Sequence, residues 1–298
     1  MWIFRTPQKT FKIGNIEVGG YPGERPTLLI GSIFYRGHKI VSDEKEGIFD
    51  REKAEALIKA QEEYSDKTGL PHVIDIIGGS PKAIVKYIDY VSSVTDGIIG
   101  IDGITASVRI EALKYIKESG VKNAIIYNSL SDPKEEELNA IKESGVKNAI
   151  LLTINTKDFS TNGRIIKAKD LLSIAERVGI ESTLIDTCVL DIPSLGMACE
   201  AIYRIKDEFG LPAGCGVHNA IALWRGVREK IGDYVIKPAS AVASAIAVAA
   251  GADFILYGPI ENAKIVFPTI AMVNVAYSQL CMERGKRPDR SHPRYKIA

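Results

Sequence analysis

This sequence is short of cysteine, of histidine, of net charge and of long hydrophobic runs. Its four cysteines, Cys188, Cys199, Cys215 and Cys281, show no C-x-x-C and no even ladder, which excludes a disulfide framework and a structural zinc site. The four histidines, His38, His72, His218 and His292, show neither H-E-x-x-H nor H-x-H, so no metal is expected. Lysine and arginine total 38 against 37 acidic residues, a net charge of +1. No long-range field therefore gathers DNA, RNA or anionic lipid, and no nucleic-acid partner is expected. The opening MWIFRTPQKTFKIG lacks the apolar core of a signal peptide. The longest apolar stretch in this reading, 239–252, carries two serines and a glycine, and falls short of the roughly 20 residues a membrane span needs. A cytoplasmic protein is the expectation.

What is present is 46% apolar residues in a chain of 298, enough for a large core. Ten residues, IKESGVKNAI, occur twice, at Ile116–Ile125 and Ile141–Ile150, a period of 25 residues. Each copy reads as the end of an amphipathic helix, a glycine cap (Gly120 or Gly145) and an apolar strand. That is a βα unit, and the rest of the chain repeats its rhythm. Short, nearly continuous apolar runs, as parallel buried strands require, fall at Thr27–Ser32, His72–Ile77, Gly97–Asp102, Ala124–Asn128, Ala149–Asn155, Ser182–Asp186, Ala213–His218 and Asp253–Tyr257. Helical patterns such as 51–66 and 107–119 fill the intervals, with Pro81, Pro133 and Pro193 at first-turn positions.

Eight strands each followed by a helix predict an α/β fold, a (β/α)8 TIM barrel, as one domain over residues 1–298. KTFKIGNIEVGG, within an N-terminal extension of residues 1–26, predicts a β-hairpin turning at Gly14-Asn15 and closing the bottom of the barrel. A doubly wound open sheet is the rival; no G-x-G-x-x-G follows any strand, which weighs against it.

Barrel sites lie at the carboxyl ends of the strands. Those positions read Ser32, Asp75, Asp102, Asn128, Asn155, Asp186, His218 with Asn219, and Tyr257 leading to Glu261. Lysine and arginine are nearly absent from the set, and Gly214, Gly216 and Gly251 near the last two strands have no basic companion for a phosphate. No G-x-S-x-G elbow occurs. Acids and amides without metal or phosphate ligands suit a neutral heteroaromatic ring with amidine-type donors and carbonyl acceptors, such as a pterin.

Over nearly its whole length the chain resembles the H-subunit family of tetrahydromethanopterin S-methyltransferases. The stretches that carry the likeness are VGGYPGERPTLLIGSIFYRGHKIVSDEKEGIFDREKAE, YNSLS, GVHNAIALW, GADFILYGPIENAKIVFP and the HP near the C-terminus. The resemblance implies a pterin-binding barrel, homodimeric, that moves the N5-methyl of a methyl-tetrahydropterin (tetrahydromethanopterin or tetrahydrofolate) to or from Co(I) of a corrinoid. D-x-H-x-x-G is absent, with Gly37-His38-Lys39 the nearest fragment, so the corrinoid (cobalamin) is expected on a separate partner protein. Attachment to a membrane methyltransferase complex as a peripheral subunit is compatible with this.

By the same resemblance Asp102, Asn128 and Asp186 meet the pterin ring, and Asn219 acts near N5 as the catalytic residue. Asp75, Asn155, His218 and Glu261 complete the expected substrate-binding set. The family shows small hydroxyl residues after the third-strand acid, where this chain has Gly103-Ile104-Thr105. Two readings stand beside the methyltransferase: a pterin-binding synthase or lyase, and a non-catalytic docking component of a methyltransferase complex.

Overall fold

The computed structural model describes residues 2–298. β1 (Thr10–Ile13) and β2 (Ile16–Gly19) form the expected antiparallel hairpin, with Ile13 paired to Ile16 across Gly14-Asn15. The chain then runs β3 (Leu28–Ile33), a small pair β4 (Val41–Asp43) and β5 (Ile48–Phe49), α1 (Arg51–Thr68), β6 (His72–Gly78), α2 (Pro81–Val94), β7 (Ile98–Gly103) and α3 (Ala106–Ser119). It continues β8 (Ile125–Leu130), α4 (Glu135–Ser144), β9 (Asn148–Leu152), α5 (Thr161–Arg177), β10 (Ser182–Asp186) and α6 (Ile192–Phe209). After β11 (Ala213–Cys215) come two short helices, α7 (His218–Ala222) and α8 (Arg225–Lys230), then α9 (Ile236–Ala249), β12 (Phe254–Pro259) and α10 (Ala263–Glu283).

β3 and β6 to β12 close into an eight-stranded parallel barrel in which the last strand, β12, pairs with the first, β3. Strand side chains alternate between faces, and this alternation sorts the interior into layers. Ile30, Val73, Ile98, Ile126, Ile150, Leu184 and Phe254 point inward and are buried. Ile13 and Val18 of the hairpin join that cluster, so the hairpin stoppers the bottom of the barrel. Each such side chain contributes roughly 1.5–3 kcal/mol by leaving water. Below the plug, the buried Lys206 ammonium meets the Asp253 carboxylate at 2.6 Å and the Gly20 carbonyl at 3.0 Å, tying the hairpin to α6 and β12.

Both copies of the ten-residue repeat behave as expected: Gly120 and Gly145 end α3 and α4 at φ +69° and +72°. Three expectations are corrected. Pro133 precedes the N-cap Lys134 of α4 and lies outside its first turn. β11 ends at Cys215, because Val217 already has helical dihedrals (φ −61°, ψ −26°), so His218 opens a helix. The expectation that no stretch reaches membrane-span length is corrected by Ile260–Glu283, which is long and apolar enough by composition to cross a membrane. In the fold Val266, Phe267, Ile270 and Ala271 of α10 are buried in the main core, which accounts for that composition.

Candidate functional site

The parity that builds the apolar plug continues upward. Two residues beyond Ile30, Val73, Ile126 and Leu184 stand Ser32, Asp75, Asn128 and Asp186, and four beyond Ile98 stands Asp102. These five therefore line the interior at the carboxyl-terminal mouth, and four of them, Ser32, Asp75, Asn128 and Asp186, are buried. Ser32 Oγ donates to Asp75 Oδ2 at 3.2 Å, and Asn128 Nδ2 donates to Oδ1 at 3.1 Å. Gly100 faces Asp75 in register, and a Cβ there would stand 2.6 Å from Asp75 Oδ1, so glycine makes room for the carboxyl. Asp102 pairs in register with Asn128 on the next strand.

Burial raises the Asp75 carboxyl above the ordinary range, and burial together with the Asp75 charge raises Asp102 further. Two adjacent acids in one dry mouth cannot both ionise cheaply. Arg109, missed in the sequence, fixes the turn after Asp102: its Nη1 donates to the Gly103 carbonyl at 2.7 Å while its Nε reaches Glu137 at 2.7 Å.

On the opposite wall burial pushes Asp186 up to about 6, against the backbone N–H groups of Cys188 and Gly216 that favour its anion. The Cys188 N–H donates to Asp186 Oδ1 at 2.8 Å from a residue held at φ +60°. A non-glycine residue in that region costs on the order of 1–2 kcal/mol, and here the turn aims an N–H back at the acid. Arg164 is buried beside this loop and donates to the carbonyls of Thr187 (2.8 Å) and Cys188 (3.3 Å), as well as that of Phe159. Arg164 is one of several basic residues in the amphipathic pattern of α5, which gives no sequence signal for this role.

Past β11, Asn219 Nδ2 donates to the Val189 carbonyl at 3.0 Å. A carbonyl only accepts, so the amide orientation is fixed and Oδ1 is left as an acceptor. His218 Nδ1 donates to the Leu256 carbonyl at 3.2 Å, and burial holds its pKa low, so the ring is neutral with Nε2 unprotonated. The ring rests on β12, where a Cβ at Gly258 would stand 2.6 Å from the His218 Cβ.

A third group closes the ring at the β12–β3 seam. Glu261 Oε1 accepts from His38 Nε2 at 2.9 Å and from the Tyr35 hydroxyl at 3.2 Å. His38 Nδ1 in turn accepts the Phe34 N–H at 3.0 Å, and Tyr35 stacks on the His38 ring at 4.2 Å. Burial would raise the Glu261 carboxyl, yet the His38 bond, with Tyr35, leaves it below the usual range. Tyr35 and His38 were missed in the sequence as site residues.

Asn155 stands apart from this set. Its Oδ1 accepts the N–H groups of Lys157 and Asp158 at 3.1 and 3.2 Å, and its Nδ2 donates to the Gly163 carbonyl at 3.2 Å, so its amide organises its own loop beyond β9. Tyr257 turns outward onto Phe267 of α10 and leaves the mouth to Glu261.

Among solved structures, the fold is similar to dihydropteroate synthase of Yersinia pestis (TM-score 0.63, 14% identity, 91% of this chain and 100% of that one). It is similar as well to the Xanthomonas albilineans dihydropteroate synthase (TM-score 0.61, 14% identity, 92% and 99%). At that identity the likeness is one of fold. In sequence, the chain is 40% identical to the H subunit of tetrahydromethanopterin S-methyltransferase from Methanothermobacter thermautotrophicus, with both chains covered completely. It is 37% identical to the corresponding H subunit of Methanocaldococcus jannaschii, again over both whole chains. It is also 37% identical to the H subunit of a putative mtx methyltransferase from Methanosarcina mazei, over 98% of each. The family profile described as "Tetrahydromethanopterin S-methyltransferase MtrH subunit" matches residues 6–288. The chain belongs to the H-subunit family of tetrahydromethanopterin S-methyltransferases.

Proposed function

We propose that this chain is a methyltransferase that binds a methyl-tetrahydropterin in the barrel mouth and releases its N5-methyl group to a corrinoid carried by a partner protein. The observation that carries the reading, beside the family, is the change of the inward-facing layer from Ile, Val and Phe to Ser32, Asp75, Asp102, Asn128 and Asp186. A pterin edge offers N–H donors and acceptor atoms side by side. Acids whose pKa burial has raised can accept as anions or donate as acids near neutrality, and so match both. Asp102, Asn128 and Asp186 are assigned to the ring, with Asp75 holding Asn128 and Ser32 in place.

N5 of the methylated pterin is a tertiary amine, and the C–N bond must break with its electron pair left on nitrogen. A protonated N5 leaves as a neutral secondary amine, which removes most of the difficulty. Asn219 Oδ1, unoccupied by its own fold contacts, accepts the N5–H and steadies the positive charge; His218 Nε2 lines the same wall. The corrinoid supplies the nucleophile that takes the methyl group. This chain offers it no imidazole at His38, since both ring nitrogens are engaged within the fold, in keeping with a corrinoid held elsewhere. Exposed Leu223 and Trp224 follow directly on α7, and exposed Ile231 and Tyr234 follow α8; together they give apolar surface for a partner. A cytoplasmic homodimer, docking with a corrinoid protein and attached to a membrane complex as a peripheral subunit, completes the proposal.

The test is methyl transfer from methyl-tetrahydropterin to free cob(I)alamin, followed in the visible spectrum, with saturable pterin binding measured in parallel. Transfer that is seen with wild type, and binding that Asp186→Ala abolishes, is the expected result. Binding without transfer would favour a synthase or lyase, and no binding would leave a docking component.

A further inference from the structure

Glu261 is a carboxylate held below the usual range by hydrogen bonds from His38 and Tyr35. Its partners are the Tyr35 hydroxyl and His38 Nε2–H. His38 gives its Nε2–H to Glu261 while its Nδ1 accepts the Phe34 N–H. Among the described residues neither lysine nor arginine forms an ion pair with Glu261. The titratable groups that face it are Tyr35 and His38 from the loop after β3 and Tyr257 at the end of β12; burial and the Glu261 charge push both tyrosines up. The Glu261 side chain is 39% exposed, while that of His38 is only 1% exposed. A buried imidazole and a tyrosine hydroxyl thus hold a half-exposed carboxylate at the mouth as hydrogen-bond donors. Such an arrangement complements a cation that arrives from outside.

The barrel order places that anion between the two walls of the site: β11, which leads to Asn219, lies on one side of β12, and β3, which carries Ser32, lies on the other. We infer that Glu261 is the countercharge for the protonated N5 of the bound methylpterin, and that His38 is the positioning residue that holds it there. The inference rests on the proposed methyltransferase reading and assigns Glu261 a more specific part than general substrate contact. An anion beside N5 raises the fraction of donor that is protonated, which is the form able to leave. No bond is made or broken by Glu261 itself; the proton stays on N5 as the methyl departs.

The experiment titrates the bound donor without acceptor, using a 13C-labelled N5-methyl whose NMR shift follows N5 protonation, and in parallel records kcat for transfer to cob(I)alamin against pH. In wild type N5 stays protonated to higher pH than in free pterin. In Glu261→Gln the bound N5 pKa falls by about one to two units, and kcat falls about tenfold or more at neutral pH while recovering towards wild type at low pH. His38→Ala shows the same shift in part, and His38→Gln, which can again donate to Glu261, restores much of it. Tyr35→Phe, which removes one donor and keeps the ring, is the gentler variant should Glu261→Gln fail to fold, and it shows a smaller shift of the same sign. An unchanged N5 titration and pH profile in a folded variant, with wild-type binding and transfer intact, overturns this inference alone. A wild-type protein that binds no methylpterin overturns the underlying reading and this one with it.

Discussion

The lower and upper halves of the barrel interior are built by the same strands at the same side-chain parity, and they are opposites. Below, Ile30, Val73, Ile126 and Leu184 meet the hairpin residues Ile13 and Val18 in a dry plug. Two residues above them, a rise of roughly 6.6 Å, stand Ser32, Asp75, Asn128 and Asp186. The plug gains stability from every side chain it hides. The upper layer loses it, since burial raises Asp75, Asp102 and Asp186 and so disfavours the charged forms. Stability and chemistry are thereby separated along one axis, which lets the mouth carry costly groups on a floor that does not depend on them.

The largest blow to that division falls on the floor. Phe254→Ala empties a fully buried position in the plug and is expected to cost about 3–5 kcal/mol of stability by urea denaturation. The kcat of the fraction that remains folded should stay within about twofold. A fall in kcat equal to that of a mouth variant would show that the two layers are not independent.

Next in size is Asn219→Ala. Removing a group that acts chiefly on developing or transferred charge costs about 10²–10³ in kcat. Pterin affinity should weaken less than about tenfold, and stability should change little, because the amide's one hydrogen bond in the fold is to the Val189 carbonyl. Equal losses in affinity and turnover would remove Asn219 from N5.

Asp186→Asn inverts the sign expected of a core substitution. The carboxyl titrates at about 6 in the folded protein against 3.8 as its ordinary value. Between those values the folded state holds the extra proton, so the contribution of Asp186 to stability is present at low pH and is lost as pH rises through 6. The amide keeps an acceptor for the Cys188 N–H. The variant should therefore be more stable than wild type by about 3 kcal/mol at pH 8, with the difference vanishing towards pH 4, while pterin binding weakens. Thermal unfolding of both proteins across that range checks it, and Asp75 and Asp102, common to both, cancel.

The repeat IKESGVKNAI, the glycine caps and the apolar runs made the barrel legible, because each is a local pattern of period and punctuation. The acids and Asn128 were legible for the same reason: they end runs whose alternation already fixed their face. The Tyr35–His38–Glu261 group was not, because it joins residues 226 and 223 positions apart that meet only when β12 closes onto β3. The end of β11 was misread since Gly216 and Val217 continue an apolar run while the backbone has already turned helical.

Asn155 gives the smallest and cleanest test, because the sequence pattern puts it with Asn128 and the structure parts them. Both end apolar runs in the sequence, yet Asn128 lies within β8, is buried and donates to Asp75 inside the mouth, whereas Asn155 lies past β9 and spends both amide atoms on Lys157, Asp158 and Gly163. An amide that makes loop hydrogen bonds is worth about 1 kcal/mol to its fold. Asn155→Ala is thus expected to lower stability by about that much and to leave pterin affinity unchanged, and Asn128→Ala should weaken affinity severalfold or more. Titration calorimetry with the two variants side by side decides the matter. A matching loss of affinity in Asn155→Ala would mean that the loop after β9 folds over the ligand, and that the mouth extends past the five inward-facing residues to a sixth strand.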